Sequence, residues 1–296
     1  MNKVRVLIFI LFSFGSARAQ SDVQPIFDAE KAFEQTAAQD GIKAAYLRHL
    51  ADDSIIFRPA AVNGKEFWKT NELGVGAVLV RNPFYADVAA NGLMGFITGS
   101  WELYPKGRTG ARTDFGEYVT IWEKKPDGKF RASLDIAVKL DETPPPPKDK
   151  LTTSNSPRDA NRSGWSVADA AMNFLRLGMS QETMGGAYKK FAADDVRLLR
   201  EGDPPLSGKK HVVSAMKSYT SVDFPKKVNL YESADMAYVW NGCEYANNDE
   251  GTVKGNCLHI WKLRDKKWLI VLGVFAPFPN DTPPVLKTRK QSLSSR

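Results

Sequence analysis

The sequence has few of the residue types that build metal sites or activated nucleophiles. It holds only two cysteines and three histidines, and the histidines, at positions 49, 211 and 259, have no metal-ligand spacing. No metal site is predicted, because zinc needs several such ligands brought together. The chain also has no G-x-S-x-G motif and no glycine-rich phosphate loop. Neither a serine hydrolase nor a nucleotide site is therefore indicated, and no cofactor is predicted.

Long hydrophobic runs are confined to the N-terminus. There, Lys3 and Arg5 precede an apolar stretch at 6–14, and an A-x-A motif occupies 17–19. This order predicts a signal peptide over residues 1–19, cleaved near Ala19, and hence a periplasmic or secreted protein. No later apolar stretch approaches the roughly 18 residues that a membrane-spanning helix requires, so no membrane span is predicted.

An excess of basic charge is missing from the body of the chain. The formal charge is +7, but the predicted signal peptide carries three of these charges and the predicted basic tail, residues 285–296, carries four. Residues 20–286 are therefore neutral. Since a phosphate backbone is bound by a clustered basic face, nucleic acid is not predicted as a partner.

The two cysteines, Cys243 and Cys257, lie in two strand-like segments on either side of the turn sequence NNDEG. A hairpin centred on position 250 would place them directly opposite each other, which is close enough for a disulfide. An oxidising compartment favours such a bond. The alternative is two small buried thiols.

The chain contains an internal repeat. Residues 122–145 recur as residues 261–284, and both copies end in Thr-Pro-Pro. Several upstream signals recur at similar offsets: the Ala-Asp-Asp motifs at 51–53 and 193–195, Arg58 and Arg200, the Gly-Lys pairs at 64–65 and 208–209, and Glu102 and Glu244. A unit of about 120 residues is a normal domain length. We therefore predict two tandem domains, residues 20–143 and 164–284, joined by a Pro/Ser-rich linker at 144–163.

Each copy begins with helical periodicity and continues with alternating, strand-like segments. In the first copy the helical stripe includes Ile26, Phe33, Ile42 and Tyr46, and turn sequences such as PDGK separate the later strands. Helices followed by a meander of strands indicate an α+β fold, with a curved antiparallel sheet packed on the N-terminal helices. Such a sheet would enclose an apolar pocket.

The order of these motifs resembles the nuclear transport factor 2-like superfamily, which includes ketosteroid isomerase and SnoaL-type polyketide cyclases. The resemblance is to its secreted, uncharacterised branch, and it rests on Ala-Asp-Asp, Arg-Pro, Asn-Gly-Lys-Glu, Gly-Ser-Trp-Glu-Leu and Ser-Leu-Asp-Ile in the first copy. It covers about residues 25–140 and, more weakly, 165–278. It implies cone-shaped domains with a pocket between sheet and helix. The superfamily holds both enzymes and non-catalytic binders, and a fold does not assign a reaction.

Two carboxylates in strand segments are candidate acid–base residues. Glu102 recurs as Glu244, and it is either a pocket base or an outer-face residue paired with a Lys or Arg. Asp135 lies in an apolar strand, where an unpaired carboxylate is unfavourable, so it either pairs with Arg58 or a backbone amide, or faces a cavity. The second copy has Gly273 at that position.

Further residues are candidate ligand contacts. Arg58 either ties helix to sheet or anchors an anionic ligand. His259 shares a strand face with Cys257 and is either a core histidine or a pocket residue. The strand aromatics are either core packing or the walls of a cavity for a flat ligand. The candidate ligand-binding residues are Arg58, Trp101, Tyr118, Trp122, Trp240, Glu244 and His259.

Three functions follow from these patterns. The first is a pocket protein that binds a small, largely apolar molecule, since no dense catalytic constellation is present. The second is an isomerase, dehydratase or cyclase that uses Asp135 or Glu102 as general acid or base. The third is a protein-interaction module in which the two domains dock as a pseudo-dimer or the chain forms a homo-oligomer.

Overall fold

We describe a computed structural model of the chain, which covers residues 23–142, 152–154, 164–223, 228–247 and 251–279. The predicted signal peptide, the basic tail at 285–296 and most of the 144–163 linker lie outside the described residues. No helix within these ranges is long and apolar enough to cross a bilayer.

The first half of the chain contains three helices and a seven-stranded sheet. The strand segments predicted from alternation form as expected, and Asn63 caps the third helix by accepting the Glu66 N–H. The elements are α1 (Gln24–Asp40), α2 (Ile42–His49), β1 (Leu50–Phe57), β2 (Ala61–Asn63), α3 (Gly64–Thr70), β3 (Val78–Val88), β4 (Met94–Tyr104), β5 (Asp114–Lys124), β6 (Phe130–Lys139) and β7 (Thr152–Thr153).

The second half repeats this order. Its first helix begins with a capping box, in which the Ser166 side chain accepts the Asp169 N–H and the Asp169 carboxylate accepts the Ser166 N–H. The elements are α4 (Val167–Gly178), α5 (Thr183–Phe191), β8 (Ala192–Arg200), β9 (Asp203–Ser207), α6 (Lys209–Ala215), β10 (Tyr219–Ser221), β11 (Asn229–Ser233), β12 (Met236–Asn247), β13 (Gly251–Arg264) and β14 (Lys267–Pro277).

The predicted α+β fold class is confirmed: the chain forms two tandem units, each with helices packed on a curved sheet. The sheets are mixed rather than purely antiparallel. The first has the order β2-β1-β6-β5-β4-β3-β7, and the second runs β10-β12-β13-β14-β8-β9, with β11 also paired to β12. In each, the strand after the helices runs parallel to the last strand of the meander, β1 with β6 and β8 with β14. The long stretch of chain between the two strands of each pair allows this parallel pairing.

The two sheets bend at equivalent places. The register shifts between Ile121 and Trp122 against β6, and between Ile260 and Trp261 against β14. An inserted residue in one strand increases local bend and twist. Each irregularity therefore adds to the curvature of its sheet.

Three buried apolar clusters hold the molecule together. One lies between the helices and sheet of the first half and another in the same place in the second half. The third joins the outer faces of both sheets and includes Phe96 and Ile121 from the first half with Tyr238 and Val271 from the second. The halves therefore dock through a shared apolar layer, which makes each sheet buried on both faces.

Polar contacts reinforce this interface. The Arg197 guanidinium donates to both oxygens of Glu117, at 2.5 and 2.7 Å. Buried Lys262 donates to the Val88 carbonyl at 3.0 Å and lies 3.1 Å from the Asp235 carboxylate. Pairing of buried charges lowers the penalty for removing them from water, so these contacts fix how the sheets are aligned.

The predicted disulfide between Cys243 and Cys257 is present. The predicted register was off by two residues: Cys243 is opposite Gly255, and Cys257 is opposite Asn241, so the hairpin centre is 249 rather than 250. The two cysteines are diagonal neighbours on one face, with Cα atoms 5.9 Å apart. Sheet twist brings such diagonal positions within bonding range.

Two residues of the predicted linker form a short strand. Thr152 and Thr153 form a short strand parallel to β3, opposite Tyr85 and Ala86, and the Thr152 hydroxyl donates to the Phe84 carbonyl at 2.9 Å. Two threonines suit such an exposed sheet edge.

Candidate functional site

The first half encloses a cavity of about 690 Å³ between its sheet and the helices α2 and α3. Most of its wall is aromatic or aliphatic, and part of its rim comes from the second half. The lining residues are Ile42, Tyr46, Phe57, Arg58, Pro59, Phe67, Trp68, Asn71, Glu72, Leu73, Leu79, Arg81, Trp101, Leu103, Asp114, Tyr118, Asp135, Ala137, Lys139, Glu201, Asn256, Ala276, Pro277 and Pro279.

Strand register defines how deep each residue lies. Asp135, Ala137 and Lys139 all line the cavity from β6. Residues 135 and 139 are four positions apart, which is about 13 Å along an extended strand. Lys139 is exposed and Asp135 is buried, so the wall runs from a solvent mouth at Lys139 to a floor at Asp135.

Asp135 is held at the floor by three donors. Its Oδ1 accepts hydrogen bonds from the Arg81 guanidinium at 3.2 Å and the Thr120 hydroxyl at 2.6 Å, and its Oδ2 accepts one from the Tyr46 hydroxyl at 3.1 Å. The charged partner of Asp135 is therefore Arg81 on β3, and the predicted alternative of a pair with Arg58 is wrong. A carboxylate can accept about four hydrogen bonds. One acceptor position on Oδ2 thus remains.

Behind Asp135 lies a second buried carboxylate, Glu30 on α1. Its Oε1 is 2.9 Å from Arg81 Nε and accepts a hydrogen bond from the Tyr118 hydroxyl at 3.0 Å. Its Oε2 accepts a hydrogen bond from the Trp122 indole N–H at 3.1 Å. Arg81 therefore lies between two carboxylates in a cluster with almost no solvent contact.

Burial changes the ionisation of this cluster. It raises the pKa of Glu30, although Arg81 opposes the shift. Burial alone would lower the pKa of Arg81, but Glu30 and Asp135 outweigh this and raise it well above its ordinary value. The pKa of Tyr118 is also raised, first by burial and then by Glu30. Arg81 therefore stays cationic. Tyr118 and Glu30 favour their neutral forms more than they would in water.

Aromatic rings form the cavity walls. Tyr46 stacks on Trp68 with centroids 4.5 Å apart and planes nearly parallel. The Arg81 guanidinium lies over the Tyr118 ring, 3.7 Å from its centroid. Trp101 donates its indole N–H to the Val138 carbonyl at 3.2 Å, which fixes its ring across β5. These anchored rings create flat, rigid surfaces suited to a flat ligand.

The mouth is made from both halves. Asn256 of β13 donates its side-chain N–H to the Pro59 carbonyl at 2.6 Å, and the Arg58 N–H donates to the Ala60 carbonyl at 2.8 Å. The Arg58 guanidinium donates to the Phe57 carbonyl at 2.7 Å. Lys139 forms an ion pair with Asp114 at 2.5 Å. The turn that carries Arg58 is therefore held by the second half.

Glu102 lies on the other face of the sheet. Along β4, Trp101 and Leu103 line the cavity, and alternation directs Glu102 away from it. Its carboxylate accepts hydrogen bonds from Arg112 at 2.6 Å and the Tyr104 hydroxyl at 2.8 Å. Despite partial burial, these donors lower the pKa of Glu102. Glu102 and Asp135 thus do not share a cavity.

The other candidate residues are distributed over the molecule. Trp122 is buried beneath the cavity, where it binds Glu30. Trp240 lies in the layer between the halves and contacts Phe57 edge-on at 5.9 Å. Glu244 lies 3.7 Å from Lys254 on the β12–β13 hairpin. None of these three lines the cavity.

His259 belongs to the core of the second half. Its Nε2 lies 3.0 Å from the Tyr188 hydroxyl, and its ring packs edge-on against Phe174. Burial lowers the pKa of His259 to about 4. His259 is therefore a neutral core residue at ordinary pH, held in place by Tyr188.

Register shows which residues in the second half replace those of the cavity. Counting from Trp122 and Trp261, Tyr118 corresponds to Cys257 and Thr120 to His259. Opposite these residues, Ala137 corresponds to Phe275 and Asp135 to Gly273. Trp101 likewise corresponds to Cys243, because each is opposite the matching glycine. The larger Phe275 and the disulfide thus occupy the place that is hollow in the first half.

Sequence reasoning missed Glu30, Arg81 and Tyr46 as site residues. A signal for Glu30 was available, since it lies four residues after Ile26 and three before Phe33 on the apolar stripe of α1. A carboxylate on such a stripe needs a buried partner. Arg81 gave no comparable local signal, because its side chain contacts residues on α1 and β6 that are distant in sequence.

Both aspartates of the Asp-Asp motif in the first half form ion pairs. Asp52 lies 2.6 Å from Lys65, and Asp53 lies 3.5 Å from Lys125. Within the described residues, no group of three or more His, Cys, Asp or Glu side chains is placed to hold a metal ion.

Comparison with known proteins gave structural matches only. No protein-family model matches the chain, and no curated protein matches it. An NTF2-like protein from Cytophaga hutchinsonii is similar at 14% identity, over 38% of this chain and 95% of that one, with a TM-score of 0.34. An NTF2-like protein of unknown function from Pseudomonas putida matches at 12% identity over 41% and 96%, with a TM-score of 0.33. A ketosteroid isomerase-like protein from Erwinia carotovora atroseptica matches at 18% identity over 38% and 93%, with a TM-score of 0.31.

Proposed function

We propose that this chain is an exported protein that binds a small, flat, largely apolar molecule in the cavity of its first half. The observation that carries the proposal is the 690 Å³ cavity with aromatic walls and a single charged cluster at its floor. Ligand pockets are commonly of this size and are mostly apolar, with a few placed polar groups. The two halves are proposed to be tandem domains of the nuclear transport factor 2-like type.

Comparison of the halves supports a binding role for the first. A buried cluster of Glu30, Arg81 and Asp135 is an expensive arrangement if packing is the only requirement, since burying charges generally gives less stability than apolar residues of similar volume. The second half holds its fold with Gly273 in place of Asp135. The cluster therefore supports a function of the first half beyond folding.

Export is proposed from two observations. The N-terminal sequence has the order of a signal peptide, with cleavage near Ala19. The Cys243–Cys257 disulfide is a bond that persists in an oxidising compartment such as a periplasm or the extracellular space.

A cavity-filling substitution tests the binding proposal. Ala137 is exposed within the cavity wall, and the second half carries Phe275 at the matching position. We expect 2-naphthol, a flat and uncharged fluorescent probe, to bind the wild-type protein and to lose at least tenfold in affinity in Ala137→Phe, because the added ring occupies its space. Fluorescence titration gives the affinity, and thermal melting shows that the fold is retained.

The control is Ala38→Phe, which adds the same ring on the exposed side of α1. It should bind the probe as the wild type does. Equal binding by Ala137→Phe and wild type, or no binding of any flat apolar probe by the wild type, would contradict the proposal.

An acid–base role for Asp135 in an isomerase, dehydratase or cyclase is the second candidate. It is favoured by one observation: Asp135 lines the cavity, and among the described residues its Oδ2 accepts only the Tyr46 hydroxyl. It ranks lower because both oxygens are already bound by donors. Glu102 is not part of this candidate, since it lies on the opposite face.

The interaction-module candidate is weakened by the docking itself. The outer sheet faces that would receive a partner are covered by each other through the shared apolar layer. Pairing of this kind within one chain supports a scaffold role for the second half.

A further inference from the structure

We propose that the ligand of this cavity is an amphipathic anion: a flat ring system with a carboxylate that binds Arg58 at the mouth and a hydrogen-bond donor that meets Asp135 at the floor. This inference rests on the proposed binding function and names its ligand class.

The first argument is charge balance among the cations that line the cavity. Arg81 is neutralised by Glu30 and Asp135, and Lys139 is neutralised by Asp114. Arg58 has no carboxylate within ion-pair distance among the residues that the structure describes. Its side chain is exposed at the mouth, so its charge is available to an incoming anion.

The second argument is that Arg58 is held in position before any ligand binds. One guanidinium N–H donates to the Phe57 carbonyl, and the group lies 5.8 Å from the centroid of the Phe67 ring. The backbone on either side is fixed by the Ala60 carbonyl and, through Pro59, by Asn256 of the second half. A guanidinium has five N–H donors in a planar fork, so several remain for a carboxylate. A prepositioned donor loses less entropy on binding.

The third argument concerns the opposite end of the cavity. The free acceptor position on Asp135 Oδ2 favours a ligand group that carries a proton, such as a hydroxyl. A carboxylate there would be repelled by Asp135, and Arg81 behind it is already saturated by two carboxylates. The mouth therefore favours an anionic group and the floor favours a hydrogen-bond donor, and together they fix the orientation of the ligand.

Strand geometry sets the spacing between these ends. Ile56 of β1 is level with Asp135 of β6 in a parallel pair, and Arg58 follows two residues later. Arg58 is thus about 7 Å above Asp135 along the strand direction, before the length of its side chain is added. Ala137, two residues after Asp135 on β6, is level with Arg58, and its small side chain leaves room for rings.

Other carboxylates at the rim do not cancel this arrangement. Glu201 accepts a hydrogen bond from the Lys139 backbone N–H at 2.9 Å. Its burial raises its pKa, which favours the uncharged carboxyl group. Asp114 is paired with Lys139. Glu72 is exposed to solvent, where its charge is screened.

A matched probe series tests the proposal on the full mature chain. The probes are 6-hydroxy-2-naphthoic acid, which has both groups at opposite ends of two fused rings, 2-naphthol, which lacks the carboxylate, and 2-naphthoic acid, which lacks the hydroxyl. We expect the first to bind at least tenfold more tightly than either of the others at low salt, by calorimetric titration. The advantage over 2-naphthol should shrink as salt is raised.

The variant Arg58→Gln should remove the advantage of the carboxylate, so that it binds 6-hydroxy-2-naphthoic acid no more tightly than 2-naphthol. The control is Arg200→Gln, the matching arginine of the second half, which is paired with Asp203 outside the cavity; its probe affinities should equal those of the wild type. If 2-naphthol binds but the carboxylate adds nothing, or if Arg58→Gln binds all three probes as the wild type does, the ligand class is wrong and the binding function stands. If no probe binds, both proposals fail.

Discussion

At the residue scale, Arg81 determines whether the cavity floor can exist. It is buried between Glu30 and Asp135, at 2.9 and 3.2 Å, and it also donates to Thr120. Each carboxylate has further donors, Tyr118 and Trp122 for Glu30 and Tyr46 for Asp135. The hydrogen bonds satisfy the oxygens, but only Arg81 supplies the positive charge.

Removing that charge should be strongly destabilising. We expect Arg81→Met to lower the free energy of unfolding by about 3–5 kcal/mol, because two buried carboxylates would lose their counter-ion. Urea unfolding followed by tryptophan fluorescence measures the change. Lys69→Gln is the control, since Lys69 forms an exposed pair with Glu66 worth about 0–1 kcal/mol. A loss in Arg81→Met no larger than the control would show that the cluster does not depend on its cation.

The two candidate carboxylates show how far residue-scale prediction reached. Alternation in β4 separated Glu102 from Trp101, and the structure retains that separation. The sequence did not say which of the two faces would enclose the cavity, because the faces are equivalent until helices pack on one of them. The predicted pairing of Asp135 with Arg58 was wrong for a related reason. Arg58 stood out in the sequence because it recurs as Arg200, whereas Arg81, the actual partner, lies three strands away from Asp135 in the sheet.

At the scale of elements, the β12–β13 hairpin of the second half replaces a cavity wall with a covalent link. Cys243 and Cys257 occupy the positions of Trp101 and Tyr118, and Tyr245 and Phe275 pack beside them, 4.9 Å apart. The two strands of the hairpin are thereby linked covalently at the positions where the first half has Trp101 and Tyr118. The same fold thus supports one unit with aromatic cavity walls at these positions and one with a disulfide there.

Loss of this link should weaken the second half. We expect the double substitution Cys243→Ser with Cys257→Ser to lower the free energy of unfolding by about 2–4 kcal/mol, as for a loop of this length. Denaturant unfolding gives the value, and the wild-type protein under reducing conditions should shift by a similar amount. An unchanged transition in both cases would mean that strand pairing alone holds the hairpin.

At the scale of the whole molecule, the halves form one body through the layer between their sheets. This layer contains Phe96, Val119 and Leu134 from the first half with Leu258, Ile260 and Leu272 from the second, all nearly inaccessible to solvent. Its rim carries the Glu117–Arg197 pair and the hydrogen bond from the Tyr238 hydroxyl to Glu123. The cavity mouth includes Asn256 and Pro277, so it is complete only when the halves are docked.

Separation of the halves should therefore expose a continuous apolar face. We expect residues 20–143 expressed alone to dimerise or aggregate, because such a patch is rarely tolerated on a monomer. Light scattering after gel filtration measures the mass, with the full-length chain at the same concentration as control. A folded, monomeric first half would show that the layer between the sheets is not needed to keep that half soluble.

The sequence by itself determined the order of elements, the presence of two similar halves and the pairing of the cysteines. These features depend on local signals: side-chain periodicity, turn residues and spacing around a hairpin. Only the tertiary structure decided which sheet face encloses the cavity, that Arg81 joins Glu30 to Asp135, and that Asn256 holds the mouth. Each of these depends on contacts between residues far apart in the chain, and local periodicity does not encode which distant side chains meet when the sheets curve and dock.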